Sequence, residues 1–275
     1  MGATLEALYG QNCCGTELPD LADGALVKLV RNMVRRVWLS RGLPDSGIDN
    51  AVTAFFAGKL WQGVQEGYGK SIEGIDYDTP DYKMLAALQE NVWHFGAAKN
   101  YSMLRDIAGQ LLGSDGKLRG WRAFREAVAP TVGKYSNGWL QTEYETAVAG
   151  GQMASKWTDI QANAASLPVL EFDAVLDTQT TDLCKGLNGT RLPIDHPFWA
   201  TYYPPNHFRC RSTVRQLSGG KLTEGGKVPS ADIPDMFKTN LAASGLAFPN
   251  GHPYYIDNPA GLKETAKTIL YGTKP

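Results

Sequence analysis

The sequence predicts an α+β protein: a mainly α-helical N-terminal region followed by a small α+β C-terminal domain with a proline- and aromatic-rich loop. Three observations carry that reading. Apolar residues recur at spacings of three and four through most of the first 166 positions. At Leu167-Pro168 the pattern changes to alternation, with Leu170, Phe172, Ala174 and Leu176 on one side of a strand expected over 169–177. The stretch from Cys184 to Arg215, CKGLNGTRLPIDHPFWATYYPPNHFRCRSTVR, then concentrates two of the four cysteines, two of the four histidines and four of the fifteen prolines. Proline pairs cannot continue a helix or donate to a central strand, so this run is a loop packed on something rigid. The chain is divided accordingly into a helical region 1–166, an α+β domain 167–217 and an extended tail 218–275 with a terminal helix.

Taken in order, residues 1–22 carry Cys13-Cys14 and Pro19 without periodicity and read as an arm. Leu26, Val30, Met33 and Val37 begin the first helix, with Asp20 or Asp23 as its cap and Gly42-Leu43-Pro44 as its end. Lys28, Arg31, Arg35, Arg36 and Arg41 make it basic, a solvated face or a contact for DNA. Ser46 and Asp49 offer a capping box for a second helix, with Val52, Phe55, Phe56, Leu60 and Val64 inward and Gly67 and Gly69 as its end. A third helix is expected from Asp81 to Leu111, stopped by Gly113 to Gly116. A short fourth carries Trp121, Phe124 and Val128 and ends at Pro130. After Gly138 a fifth presents a narrow stripe of small residues, and Gly150-Gly151 marks a bend or a place where helices touch. Thr180-Thr181-Asp182 caps a helical turn holding Leu183 and Cys184, and Asn188-Gly189 is a turn. Alternation resumes over 210–217. Beyond it, His252 to Tyr255 reads as a short strand and Gly261 to Tyr271 as a helix.

Composition narrows the classes. A chain of 275 residues with 43% apolar content can bury a core. Its net charge of −1 argues against a dedicated nucleic-acid coat or a membrane-surface binder. No apolar run approaches the length of a bilayer span. The opening MGATLEALYGQNCCG lacks a basic stretch before an apolar core, so no signal peptide is expected. Four cysteines do not make a disulfide framework.

Three chemistries compete in the central stretch. Cys184, His196, His207 and Cys210 are soft or borderline ligands that suit a structural zinc, and His207-x-x-Cys210 has ligand spacing. Without metal, His207 would tie the loop by hydrogen bonds and the two cysteines would be small buried groups, or a bridge in oxidising surroundings. Catalysis is the third: Asp195-His196 followed by Asn206-His207 resembles the His and Asn elements of HNH-type nucleases, giving a metal-dependent nuclease on His196, Asn206 and His207.

The order of residues is also familiar. Asp177-x-x-x-Thr181-x-x-Cys184-x-x-Leu187-x-Gly189, then Pro197-Phe198-Trp199, then Tyr203-Pro-Pro-Asn-His207-x-x-Cys210-Arg211 resembles the C-terminal domain of the phage Mu protein F-like minor head proteins, also called phage head morphogenesis proteins. Thr142-Glu143-Tyr144-x-Thr146-Ala147 and Gln152-Met153-Ala154 are similar to the helix preceding that domain, so the resemblance runs over about 139–217. Many members read Cys-Arg-Cys where this chain has Cys210-Arg211-Ser212, which removes one candidate ligand. The resemblance implies a non-enzymatic structural protein of a tailed-phage or prophage head, inside the virion head after assembly in the host cytoplasm. It implies portal, capsid or scaffolding proteins as partners of the N-terminal helices. Packaged DNA would lie near Lys28, Arg31, Arg35, Arg36 and Arg41.

Overall fold

A computed structural model describes Leu5, Leu8, Tyr9 and residues 24–272; the rest of the expected arm, with Cys13, Cys14 and the capping candidates Asp20 and Asp23, lies outside the described residues. Among the described residues from Gly24 onward, five long helices come first: α1 (Gly24–Ser40), α2 (Asn50–Tyr68), α3 (Pro80–Ala108), α4 (Trp121–Gly133) and α5 (Trp139–Ala162). Three short strands and three further helices follow: β1 (Val169–Asp173), α6 (Asp182–Leu187), β2 (Arg191–Pro193), α7 (Phe198–Tyr202), β3 (Thr213–Leu217) and α8 (Leu262–Tyr271). The fold is α+β as the pattern predicts. No described helix is long and apolar enough to cross a membrane.

The helices follow their apolar stripes, with differences where local rules meet packing. In α1, Leu26, Val30, Met33, Val34 and Val37 are buried, while Lys28, Arg31, Arg35 and Arg36, and Arg41 just past its end, are exposed. Arg36 pairs with Asp49, and the Arg41 guanidinium lies 4.4 Å from the centre of the Trp38 ring. The expected box at Ser46 and Asp49 is a cap by Asp49 alone, which accepts from the backbone N–H of Ala51 and Val52. Ser46 instead donates to the carbonyl of Ile48.

Pro130 does not end α4. The helix runs on to Gly133, passes through a π-helical turn at Lys134–Gly138 and enters α5. Proline removes one donor, and Pro130 is on the exposed side, where the carbonyl it leaves unpaired can face water.

α2 ends at Tyr68, between the two glycines expected to end it, and Gly67 has a second role. A Cβ there would strike the carbonyl of Val148, and a Cβ on Gly151 would strike the carbonyl of Val64. The two helices therefore meet backbone to backbone, so Gly151 marks a contact within an unbroken helix. Gly69, with φ of +77°, follows the end of α2.

The sheet has the order β2-β1-β3 with both pairings antiparallel. β1 is shorter than the alternation suggests. It stops at Asp173, and Leu176 is exposed. Central placement explains why Val169 to Phe172 are all buried. Register sets Glu171 opposite Arg191 on β2 and Arg215 on β3, and both arginines pair with its buried carboxylate.

The segment expected as an extended tail is irregular yet packed: Ile233, Phe237, Leu241, Ala247, Phe248 and Tyr254 are buried. Side chains replace the missing ladder. The Asn91 carbonyl oxygen accepts from the N–H of Ala247 and Phe248 at 3.0 and 2.8 Å, while its amide donates to the Phe248 carbonyl. The strand expected at His252 to Tyr255 is a 3₁₀ turn at Pro253–Tyr255.

Two compact units are built from interleaved segments: Met1–Thr16, Gln62–Asn91 and Glu145–His252 in one, Glu17–Trp61, Val92–Tyr144 and Pro253–Pro275 in the other. Neither is bounded at residue 167. The first contains the sheet and the cysteine–histidine stretch. The second buries an ion pair: Lys99 and Glu143 are both fully enclosed, with Nζ 2.8 Å from Oε2. Tyr254 donates to Glu143 Oε1 at 2.8 Å. The rings of Phe56, Tyr135 and Tyr254 surround the ammonium at 5.0 to 5.5 Å. Burial pushes the Lys99 ammonium below its ordinary value, against the opposing pull of Glu143.

Candidate metal centre

The loop that carries the cysteines and histidines is anchored first by its apolar residues. Phe198, Trp199 and Tyr203 are buried, and the Tyr203 ring meets Trp157 of α5 at 5.0 Å. Its hydroxyl donates to the Met153 carbonyl at 3.0 Å. A cis bond joins Pro204 and Pro205, and the chain then turns through Asn206 to Cys210. Arg209, at φ of +58°, pairs with Glu145 on α5 at 2.8 Å. Its N–H donates to Thr146 Oγ1 at 3.3 Å. Phe208 packs on Tyr9, Phe237 and His252, with centroids 4.9 to 5.7 Å apart.

The opposing wall is the turn before α6. Thr181 caps that helix by accepting from the Cys184 N–H at 3.3 Å. Arg211 reaches across to Asp177 in a two-pronged contact of 2.8 and 2.7 Å. Such forks are directional as well as charged, and this one holds Asp177 well below the usual carboxylate range. Asn188 Oδ1 accepts from the Ala174 N–H, and Gly189, at φ of +75°, donates to the Phe172 carbonyl. The expected Asn-Gly turn therefore closes directly onto β1.

These two walls bring together Cys184, His207 and Cys210. All three are buried, and their donor atoms lie within 4.8 Å of one another. Cys184 Sγ is 3.3 Å from His207 Nε2 and 3.9 Å from Cys210 Sγ. His207 Nδ1 is 2.7 Å from the Phe208 carbonyl. A carbonyl only accepts, so Nδ1 carries a proton and Nε2 is the atom turned toward the sulfurs. A hydrogen bond from the Cys210 thiol, with further help from His207, holds Cys184 down to about 4. The same contact and burial push Cys210 up. Burial disfavours charge on His207, but Cys184 outweighs it and keeps the imidazole above its ordinary value.

His196 stands outside this group. Its Nδ1 accepts from the Phe198 N–H at 3.1 Å, where it steadies the start of α7. Asn206 is fully buried and donates to the Tyr202 carbonyl. The three residues of the nuclease reading thus direct their polar ends to three different partners: a backbone N–H, a backbone carbonyl and a thiol pair.

The comparisons with known proteins fall on the same stretch. The profile of the family "Phage Mu protein F like protein" matches residues 119–215. Over this segment the chain resembles that family. A relative in Escherichia phage Mu, "Putative capsid assembly protein F", is 31% identical over 87 residues, covering 32% of this chain and 20% of the phage protein. The "Mu-like prophage FluMu F protein" of Haemophilus influenzae is 31% identical over 94 residues, covering 34% of this chain and 23% of that protein. The match thus spans between a fifth and a quarter of those relatives' length. No solved structure matches. The Mu F-like segment contains every residue of the network just described from Glu145 to Arg211. Asp177 with Arg211, Thr181 with Cys184 and His207, and Tyr203 with Met153 each pair one part of the recognised pattern with another.

Sequence reasoning missed three partners here. Glu145 and Thr146 hold Arg209, and Lys156 reaches Thr213 and the Val214 carbonyl. All three sit on α5, and nothing in its spacing says which loop will cross it.

Proposed function

We propose that the chain is a structural protein of head assembly in a tailed phage or prophage. It associates with portal, capsid or scaffolding proteins and assists assembly, DNA packaging or ejection. The observation that carries this is the family match over 119–215 together with the convergence of the matched motif residues into one packed loop. Those residues spend their polar groups on each other and on backbone atoms, which suits a rigid attachment surface. The exposed basic face of α1, with Lys28, Arg31 and Arg35, is the part suited to contact packaged DNA.

The test is co-expression of the chain with the portal and major capsid proteins of its phage, followed by sedimentation of the particles. The chain should travel with portal-containing particles, and heads assembled without it should be fewer or carry less DNA. Free chain beside normal heads would sink the proposal. Plasmid cleavage with added divalent metal, lost in His207→Ala, would replace it with the nuclease reading. Charge reversal at Lys28, Arg31 and Arg35 should lower DNA content while leaving incorporation of the chain unchanged.

A further inference from the structure

We propose that Cys184, His207 and Cys210 bind a zinc ion, which pins the α6 turn to the His207–Cys210 turn and takes a small oxygen ligand at its fourth vertex beside Ser212. Four observations converge on this. The first is distance. With zinc about 2.3 Å from sulfur and about 2.0 Å from nitrogen, a tetrahedron has edges of about 3.8 Å between sulfurs and about 3.5 Å between sulfur and nitrogen. The chain holds Cys184 and Cys210 Sγ at 3.9 Å and Cys184 Sγ and His207 Nε2 at 3.3 Å. A disulfide would need the sulfurs at about 2.05 Å, with the chain drawn in to match.

The second is orientation. Metal-bound histidine normally donates its other ring nitrogen to a fixed acceptor, which sets the tautomer. His207 Nδ1 does this to the Phe208 carbonyl, and Phe208 is itself wedged between aromatic rings. The third is enclosure. All three donor residues are buried, and buried thiolates need a cation. The fourth is charge. Two thiolates and one neutral imidazole cancel a divalent ion, so the filled site is neutral in an enclosed setting. Arg209 and Arg211, which flank Cys210, are committed to Glu145 and Asp177. The cleft that opens on the cluster is narrow and lined by Val175, Thr180, Thr181, Arg211 and Ser212. It leaves the fourth vertex to a water-sized group.

The experiment uses the full chain, purified under reducing conditions. Zinc content is measured after dialysis, and cobalt(II) is titrated into chain stripped of metal. One zinc per chain is expected, and the cobalt form should show tetrahedral visible bands with thiolate charge transfer. Cys184→Ser and Cys210→Ser should each abolish both signals. His196→Ala, outside the group, should change neither. Ser212→Cys adds a thiolate at the open vertex and should tighten zinc by at least about tenfold in a chelator competition, as ligand-shell changes commonly do. Cobalt titration of the unaltered chain stands even if a cysteine variant fails to fold. Absence of zinc together with an octahedral, thiolate-free cobalt spectrum would overturn the proposal. So would recovery of a Cys184–Cys210 disulfide from reduced, zinc-supplemented preparations.

Discussion

Each compact unit buries a polar cluster around an ionisable pair or triad, and the two are built on opposite plans. Lys99 and Glu143 form a closed set: a cation meets an anion at 2.8 Å, tyrosine satisfies one carboxylate oxygen, and aromatic faces line the ammonium. Cys184, His207 and Cys210 form an open set, in which two sulfurs and an imidazole nitrogen converge at 3.3 and 3.9 Å. The first cluster balances its own charge. We propose that zinc completes the second. A buried pair of the first kind is replaceable by apolar groups of similar volume, whereas removal of one partner strands the other.

The largest expected effect is Glu143→Ala, which leaves Lys99 as an enclosed charge and should cost about 3–5 kcal/mol in urea unfolding. Lys99→Met combined with Glu143→Leu should be neutral or stabilising by about 1–4 kcal/mol. A double variant as unstable as the single one would mean that packing, and not the stranded charge, sets the loss.

For the open cluster, adding zinc to one hundred times its Kd should stabilise the chain by about 2.7 kcal/mol over metal-stripped chain. Calorimetry should show that difference vanish in Cys184→Ser and persist in Glu143→Ala.

Gly67→Ala and Gly151→Ala test a different dependence, on backbone contact between α2 and α5, and should each cost about 1–3 kcal/mol by overpacking. Thermal unfolding of Gly186→Ala, at a site where a Cβ meets nothing within 4 Å, is the control.

Tyr203→Phe removes the hydroxyl from the Met153 carbonyl and should cost about 1 kcal/mol. The smallest effect is at the sheet. Burial raises the Glu171 carboxyl, but Arg191 and Arg215 outweigh it and set it below the ordinary value. Its contribution is therefore complete above the unfolded value of about 4.3 and is lost as pH falls through the lower folded value. Arg191→Ala should flatten that acid limb and cost less than about 1 kcal/mol near neutrality, since half-exposed pairs are screened.

Much of the fold and part of the site were legible in the chain itself. The stripes of α1 to α5, the turn at Asn188-Gly189 and the Thr181 cap follow from periodicity and local hydrogen bonding, which depend on near neighbours. Cysteine and histidine at short spacing marked His207 and Cys210, and the turn after the first strand marked Cys184. His196 was included on residue type, and only the packed loop shows its ring committed to Phe198. Pro130 reads as a terminator by local rules, but a π turn carries the helix past it.

What the sequence determined by itself is therefore the set of elements, the α+β class and the residue types able to bind a soft cation. What tertiary structure decided is which of those residues meet. Lys99 and Glu143 are 44 positions apart, and Cys184 and Cys210 are 26 apart. No spacing rule links such positions, because their approach depends on how whole elements pack and which backbone groups remain to orient each ring and thiol.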